Sequence, residues 1–134
     1  MLYVDSNVFL YASLYGSEVE EALRSREFLL RVAKGEVRAS TSVLTWDEVV
    51  WVVRKVEGGG ASSKIGSLLL RFPNLRFLAV KRSTIEMAQE LMEKYGLRPR
   101  DSIHAASALE NGISRVISFD RHFDLVEGLT REEP

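Results

Sequence analysis

The sequence contains no cysteine, only three prolines and almost no net charge. Without cysteine the chain can form neither disulfide bonds nor thiolate metal sites, which excludes the disulfide-rich secreted class and the zinc fingers. A formal net charge of −1 is not that of a protein that binds nucleic acid through a broadly basic surface. Local basic pairs such as Lys81–Arg82 remain available for contacts with phosphate groups.

The chain also lacks a long apolar run and a basic leader ahead of its first strand-like segment, which begins at Leu2. We therefore expect no signal peptide, no membrane span and a cytoplasmic location. Hydrophobic residues make up 46% of the sequence and charged residues 28%, which is the balance of an ordinary globular protein. A chain of 134 residues usually folds around one core, so residues 1–134 are predicted to form a single domain.

Strand-like and helix-like segments alternate along the chain. The predicted strands are residues 2–5, 37–40, 75–80 and 115–118. The predicted helices cover residues 6–16, 17–34, 42–56, 64–72, 83–96 and 101–112.

The segment 42–56 is ambiguous, because its core "VVWVV" favours a strand by propensity. Its length favours a buried helix, and we assign it as one. Residues 57–63, "EGGGASS", are expected to form a flexible connection. Strands alternating with helices predict an α/β fold, with a mostly parallel sheet flanked by helices on both faces.

Four acidic residues are predicted to collect at one edge of this sheet. Asp5 follows the first strand and Asp120 follows the last, and functional groups of such sheets gather at the carboxyl ends of the strands. Glu48 and Asp101 lie in the first turns of predicted helices and could face the same edge. Three of the acids also have a local explanation: Asp101 as a helix N-cap, Glu48 in a capping box with Thr45, and Asp120 in a turn.

Carboxylates grouped in a partly buried pocket repel one another unless a cation neutralises them. Oxygen ligands suit Mg²⁺ or Mn²⁺, and the chain offers no thiols. Such an ion supports hydrolysis of a phosphodiester by activating water and stabilising developing charge. The acidic cluster therefore indicates metal-dependent phosphodiester hydrolysis.

Four motifs, in this order, resemble the PIN-domain ribonucleases, and among them the VapC-type toxins of toxin–antitoxin pairs. The motifs are "YVDSNVF", "TWDEVV", "RPRDSIHAASA" and "ISFDRHFD", and the resemblance runs from Tyr3 to Asp124. It implies a PIN-like α/β/α sandwich and an endoribonuclease that cleaves single-stranded RNA with Mg²⁺ or Mn²⁺. It also implies a cognate VapB-type antitoxin, which commonly occupies an apolar groove near the active site, and a homodimer.

The resemblance assigns roles to individual residues. The family's catalytic acidic positions fall on Asp5, Glu48, Asp101 and Asp120. Of these acids, Asp5, Asp101 and Asp120 are expected to bind the metal ion. The polar residues Asn7 and Ser118 match the family's supporting positions, and Asp124 lies where some members carry a further acid. Asp124 is expected either to support Asp120 or to cap a short terminal helix.

Other polar and aromatic residues are given smaller roles. Arg98 and Arg100 are candidates for phosphate contacts with RNA at the mouth of the pocket. We interpret His104 as an ordinary packed or hydrogen-bonded histidine of an alanine-rich helix, and His122 as a surface residue. The aromatic residues Tyr11, Tyr15, Trp46 and Trp51 could stack on bases, but core or interface positions are the commoner use of such residues.

Three other functions are considered. A phosphatase of the haloacid-dehalogenase type requires a second aspartate two residues after the first, where this chain has Asn7. A receiver-like phosphoacceptor domain requires an acidic pair and a lysine, an arrangement that we do not find in the expected order. A non-catalytic PIN-like module that binds RNA or protein is the alternative from a different class, and the presence of all four acids argues against it.

Overall fold

The computed structural model describes all residues from Met1 to Pro134. The strands are β1 (Leu2–Val4), β2 (Ala39–Ser42), β3 (Leu75–Leu78), β4 (Arg115–Ile117) and β5 (Thr130–Glu132). The α-helices are α1 (Ser6–Leu14), α2 (Glu20–Ala33), α3 (Leu44–Glu57), α4 (Gly59–Leu70), α5 (Arg82–Tyr95) and α6 (Pro99–Glu110). A 3₁₀ helix, Arg121–Leu125, lies between β4 and β5. None of the helices combines the length and the apolar character that crossing a membrane requires.

The five strands form one parallel sheet in the order β3-β2-β1-β4-β5. In the centre, Leu2 of β1 pairs with Ala39 of β2 on one side and with Arg115 of β4 on the other. The chain first builds outward from β1 to β3 and then returns to the other side of β1 with β4. A crevice is expected at the carboxyl ends of β1 and β4, where the direction of building switches.

Helices cover both faces of the sheet, so the predicted α/β/α architecture is confirmed. Alternate residues of β1 face opposite sides, as strand geometry requires. Leu2 and Val4 join a core with residues of α1 to α4, such as Phe28 and Val49. Tyr3 joins a second core that includes Ala105 of α6.

Local chemistry accounts for several helix boundaries. The Asp5 side chain caps α1 by accepting a hydrogen bond from the Ser6 N–H at 2.8 Å. Pro99 is the first residue of α6, where its missing N–H costs no hydrogen bond. Gly58, with φ of 94°, separates α3 from α4, in a conformation that glycine adopts more readily than other residues.

The structure corrects four details of the predicted elements. Residues 57–63 are not a flexible connection, because α4 begins directly after Gly58. Helix α2 begins at Glu20 rather than at Ser17, and α6 begins two residues before Asp101. Strand β5 was not predicted.

Candidate active site

Asp5 occupies the carboxyl end of β1 and is almost fully buried, with 4% of its surface exposed. One of its oxygens caps α1, and the other accepts a hydrogen bond from the Ser118 hydroxyl at 2.7 Å. Ser118 directly follows β4. The carboxyl ends of β1 and β4 therefore meet at the Asp5 carboxylate, which agrees with the predicted position of Asp5 at this edge of the sheet.

Ser118 connects three of the predicted site residues. Because its single hydroxyl hydrogen goes to Asp5, its oxygen can accept from the Asp120 N–H at 2.9 Å and from the Asn7 amide at 3.2 Å. The side-chain carbonyl oxygen of Asn7, Oδ1, is buried and has no hydrogen-bond partner. The site thus holds an unpaired oxygen acceptor close to the Asp5 carboxylate.

The Arg98 guanidinium joins the acids of two separate segments. It donates to Asp101 at 2.7 Å and to Asp120 at 3.0 Å. Asp120 also accepts from the backbone N–H and the ring of His122 at 2.9 and 2.6 Å. Partial burial raises the pKa of Asp120, but the hydrogen bonds from His122 and the charges of His122 and Arg98 outweigh it and lower this pKa overall.

Glu48 is held by a buried histidine of α6. The ring of His104, which is fully buried, contacts the Glu48 carboxylate through Nε2 and the Tyr3 hydroxyl through Nδ1, the latter at 2.5 Å. The same Nε2 lies 3.7 Å from an oxygen of Asp5. Burial lowers the pKa of His104, but the hydrogen bond to Glu48 and the negative charges of Asp5, Glu48 and Asp101 raise it overall.

The electrostatics of the cluster suit a positively charged ligand. Burial raises the pKa of Asp5, and the negative charges of Glu48 and Asp101 raise it further. The opposing effects of His104 and Ser118 do not cancel this rise. The surroundings therefore disfavour the ionised form of Asp5, which a nearby cation would stabilise.

The oxygen donors match a hard divalent cation in chemistry. Asp5, Asp101 and Asp120 offer carboxylates, and Asn7 offers the unpaired carbonyl oxygen, which are ligands that Mg²⁺ and Mn²⁺ accept directly or through water. No three acidic or histidine side chains converge closely enough here to form a complete metal-ligand set. Two of the carboxylates, those of Asp101 and Asp120, are paired with one cationic group of the chain, the Arg98 guanidinium.

Asp124 and Arg100 lie outside this cluster of hydrogen bonds. Asp124 binds Arg131 at 3.0 Å, and Arg131 donates to the Ser118 carbonyl oxygen, also at 3.0 Å. The cap of the 3₁₀ helix is Asp120 rather than Asp124. Arg100 lies 3.9 Å from Asp47 and near the face of the half-exposed Trp51, beside the mouth that Glu48, Arg98 and Asp101 help to line.

The local explanations of the acids hold only in part. Asp120 does cap a turn of helix, but Asp101 is not the N-cap of α6, and the hydrogen-bond partner of Glu48 is His104. The interpretation of His104 as a packed, hydrogen-bonded histidine is confirmed, but sequence reasoning missed its two partners, Glu48 and Tyr3, and the role of Arg131. The available signal for His104 was its place among alanines, since a large polar ring on a small-residue face is buried and needs polar partners.

Comparison with known proteins agrees with this arrangement. Residues 2–129 match the family model described as PIN domain. The chain belongs to the PIN-domain family. The resemblance inferred from the four motifs is thereby confirmed.

Curated relatives of this PIN domain are named as VapC ribonucleases. Ribonuclease VapC23 of Mycobacterium tuberculosis is 30% identical over 122 residues, which cover 90% of this chain and 93% of the relative. Ribonuclease VapC13 of the same species is 26% identical over 132 residues, which cover 98% of each chain.

Solved structures share the fold. Mycobacterium tuberculosis VapC20, described as a sarcin–ricin loop cleaving toxin, superposes with a TM-score of 0.79 at 16% identity over the full length of both chains. VapBC2 from Rickettsia felis, bound to a DNA fragment from its promoter, gives a TM-score of 0.73 at 19% identity and covers 99% of this chain and 98% of that chain.

Proposed function

We infer that this PIN domain is a metal-dependent endoribonuclease of the VapC type, which cleaves single-stranded RNA as the toxin of a toxin–antitoxin pair. The observation that carries the inference is the convergence of acids from four separate segments at the carboxyl ends of β1 and β4. Asp5 and Asp120 are joined through Ser118, Asp101 and Asp120 through Arg98, and Glu48 approaches Asp5 through His104. The relatives named as ribonucleases supply the reaction class.

Each side chain has a task in the proposed reaction. Asp5, Asp101 and Asp120 would hold the divalent ion, Mg²⁺ or Mn²⁺. The chemistry that such an ion supplies when bound is acidification of water and neutralisation of the charge that develops on a phosphodiester. Ser118 orients the Asp5 carboxylate, and Glu48 presents a carboxylate to the mouth of the pocket, where it would orient water or accept a proton.

Arg98 and Arg100 are proposed to meet RNA phosphates. Arg98 is 70% exposed although it is paired with two carboxylates, so its long side chain can turn to a phosphate group. Arg100 makes one contact with a carboxylate, at 3.9 Å from Asp47, and lies near the face of the Trp51 ring. Both side chains line the mouth of the acidic pocket, where a phosphate group would approach.

The partner that we propose is a VapB-type antitoxin. A groove of about 500 Å³ lies between α1, α2 and α4, and most of its lining is apolar, including Phe9, Leu30, Leu68 and Phe72. Exposed apolar grooves mark binding sites for amphipathic segments. Solved structures with the same fold include a toxin–antitoxin complex from Klebsiella pneumoniae and a DNA-bound VapBC from Salmonella typhimurium.

Three further properties belong to the proposal. We propose that residues 1–134 act as one PIN-like domain, that the protein works in the cytoplasm, where its RNA substrate is found, and that it forms a homodimer. The half-exposed Trp51, with 49% of its surface accessible, is of a residue type that is enriched at protein interfaces.

The decisive experiment is cleavage of an end-labelled, mixed-sequence single-stranded RNA by the purified protein. The reactions contain Mg²⁺, Mn²⁺ or EDTA, and Asp101→Asn is prepared in parallel. We expect cutting that depends on the metal and falls by at least about 100-fold in the variant, because partners that merely orient metal-binding side chains already contribute about 10–100-fold.

A folded wild-type protein that binds these RNAs but never cuts them would contradict the ribonuclease and favour a non-catalytic binding module. Cutting that persists in EDTA would contradict the metal dependence alone. Cutting that survives in Asp101→Asn at the wild-type rate would remove this acid from the proposed site.

A further inference from the structure

His104 is a fully buried polar side chain that the proposed reaction does not use. It lies on α6, three residues after Asp101, and is fully buried between α6 and the sheet. A buried histidine requires a partner for each ring nitrogen. Both partners are present here, and one of them is a carboxylate of the candidate site.

The hydrogen bonds around Tyr3 favour Nε2 as the ring nitrogen of His104 that carries the hydrogen. The Tyr3 hydroxyl accepts from the Ser42 N–H at 3.2 Å. Its own hydrogen is then free to point at His104 Nδ1, 2.5 Å away. When Nδ1 accepts, the neutral ring carries its hydrogen on Nε2, and Nε2 is the nitrogen that faces Glu48.

The same N–H lies between two acids from different elements. Nε2 contacts Glu48 of α3 and lies 3.7 Å from the oxygen of Asp5 that caps α1. A hydrogen directed at this point offsets the repulsion between the two carboxylates. It also commits one oxygen of Glu48, while the other has no protein partner and can serve the pocket mouth that Glu48 lines.

We propose that His104, oriented by Tyr3, is a positioning residue that fixes the Glu48 carboxylate beside Asp5 in the geometry that ion binding and phosphodiester cleavage require. This inference rests on the proposed ribonuclease function. The residue acts on substrate only through Glu48 and Asp5. Partners that orient acidic or metal-binding side chains in this way typically change activity or metal affinity by about 10–100-fold when removed.

The test compares two replacements of similar size at residue 104. His104→Gln keeps an amide N–H that can reach Glu48, whereas His104→Met fills the space without a donor. Tyr3→Phe removes only the hydroxyl that orients the ring. Ser107→Ala is the matched control, because Ser107 is equally buried on the same helix and its hydroxyl has no partner.

The measurements are kcat and KM for RNA cleavage, Mn²⁺ affinity by calorimetry, and the melting temperature of each variant. We expect His104→Met to lower kcat by about 10–100-fold with KM changed by less than about threefold, and to weaken Mn²⁺ binding by about tenfold or more. His104→Gln should recover most of both losses. Tyr3→Phe should shift both quantities in the same direction by a smaller factor, and Ser107→Ala should change neither.

Equal losses in His104→Gln and His104→Met would overturn the proposal, because a purely structural residue gains nothing from the retained donor. So would a kcat and Mn²⁺ affinity that stay at wild-type values in His104→Met. If His104→Met does not fold, the comparison of Tyr3→Phe with Ser107→Ala replaces it. Equal kcat and equal Mn²⁺ affinity in these two variants would then overturn the proposal.

The outcome is separable from that of the proposed function. If the wild-type protein cuts no RNA, the ribonuclease fails, but the Mn²⁺ affinities still decide the role of His104. Weaker binding in His104→Met that His104→Gln restores would support the positioning role without any turnover. Equal affinities in all variants would overturn it.

Discussion

Two aspartates four residues apart near the end of the chain have different surroundings. Asp120 is largely buried and is held by Arg98 and His122 at the candidate site. Asp124 is half-exposed and pairs with Arg131 instead. The second carboxylate therefore supports the backbone of Ser118 through Arg131, and we assign it no contact with the ion.

We predict that Asp120→Asn weakens Mn²⁺ binding by at least about tenfold, since even indirect changes at such sites reach that size. Asp124→Asn should stay within about twofold, because it changes a partly exposed ion pair that typically contributes less than about 1 kcal/mol. Calorimetric titration of both variants with Mn²⁺ is the measurement. Equal losses of affinity would show that Asp124 also serves the ion.

Sequence position predicted where the acids lie but not how they are held. Asp5 and Asp120 could be placed because each directly follows a strand, and strand ends of a parallel sheet share one edge. The contacts of Arg98 and His104 could not be predicted from the sequence, because they depend on the rotation of α6 against β1. Periodicity gives the buried face of a helix, but not the residue of another element that each side chain meets.

At the scale of elements, α3 and α4 pack closely at one glycine. A Cβ atom added at Gly66 would lie 2.9 Å from the Trp46 ring nitrogen and 3.0 Å from a methyl group of Val50. These distances are shorter than ordinary contacts, so a larger residue must displace α3 side chains. Gly60, in the same helix, has open space at the corresponding position.

We predict opposite effects of the same substitution at these two glycines. Gly66→Ala should lower the free energy of unfolding by about 1 kcal/mol, because overpacking of about 1–3 kcal/mol exceeds the gain of about 1 kcal/mol in helix propensity. Gly60→Ala should raise it by a few tenths to about 1 kcal/mol. Urea denaturation of both variants measures the difference, and stabilisation by Gly66→Ala would mean that Trp46 and Val50 yield easily.

The elements that sequence predicted poorly share a physical cause. The segment 57–63, with its three consecutive glycines, was predicted to be a flexible connection because glycine has low helix propensity. Helix α4 nevertheless begins at Gly59, because its apolar residues pack against α3 and the core. Strand β5 has only three residues and exists through its pairing with β4. Tertiary contacts created both elements, whereas length correctly favoured a helix over a strand for α3.

At the scale of the molecule, alternation of strands and helices predicted a parallel sheet covered on both faces, but not the order of its strands. The order depends on whether β4 adds beside β3 or returns to β1, and no local pattern encodes that choice. The return is what brings Ser118 to Asp5.

The apolar groove between α1, α2 and α4 has basic side chains at its border. Arg26 donates to the carbonyl oxygens of Ala12 and Tyr15, and Arg71 donates to Ser67. Neither guanidinium has a carboxylate partner within the chain. A segment that fits this groove should therefore combine apolar residues with acidic ones that reach the two arginines.

We predict that Leu30→Glu weakens binding of the cognate antitoxin by at least about tenfold, because it places a charge in the lining of the apolar groove that the antitoxin would cover. Val56→Glu is the control, since Val56 is more exposed than Leu30, at 65% against 54%, and lies outside the groove. Binding is measured by calorimetry, with melting temperatures confirming that both variants fold. Equal weakening in the two variants, or none in Leu30→Glu, would place the antitoxin on another surface and leave this groove without the proposed partner.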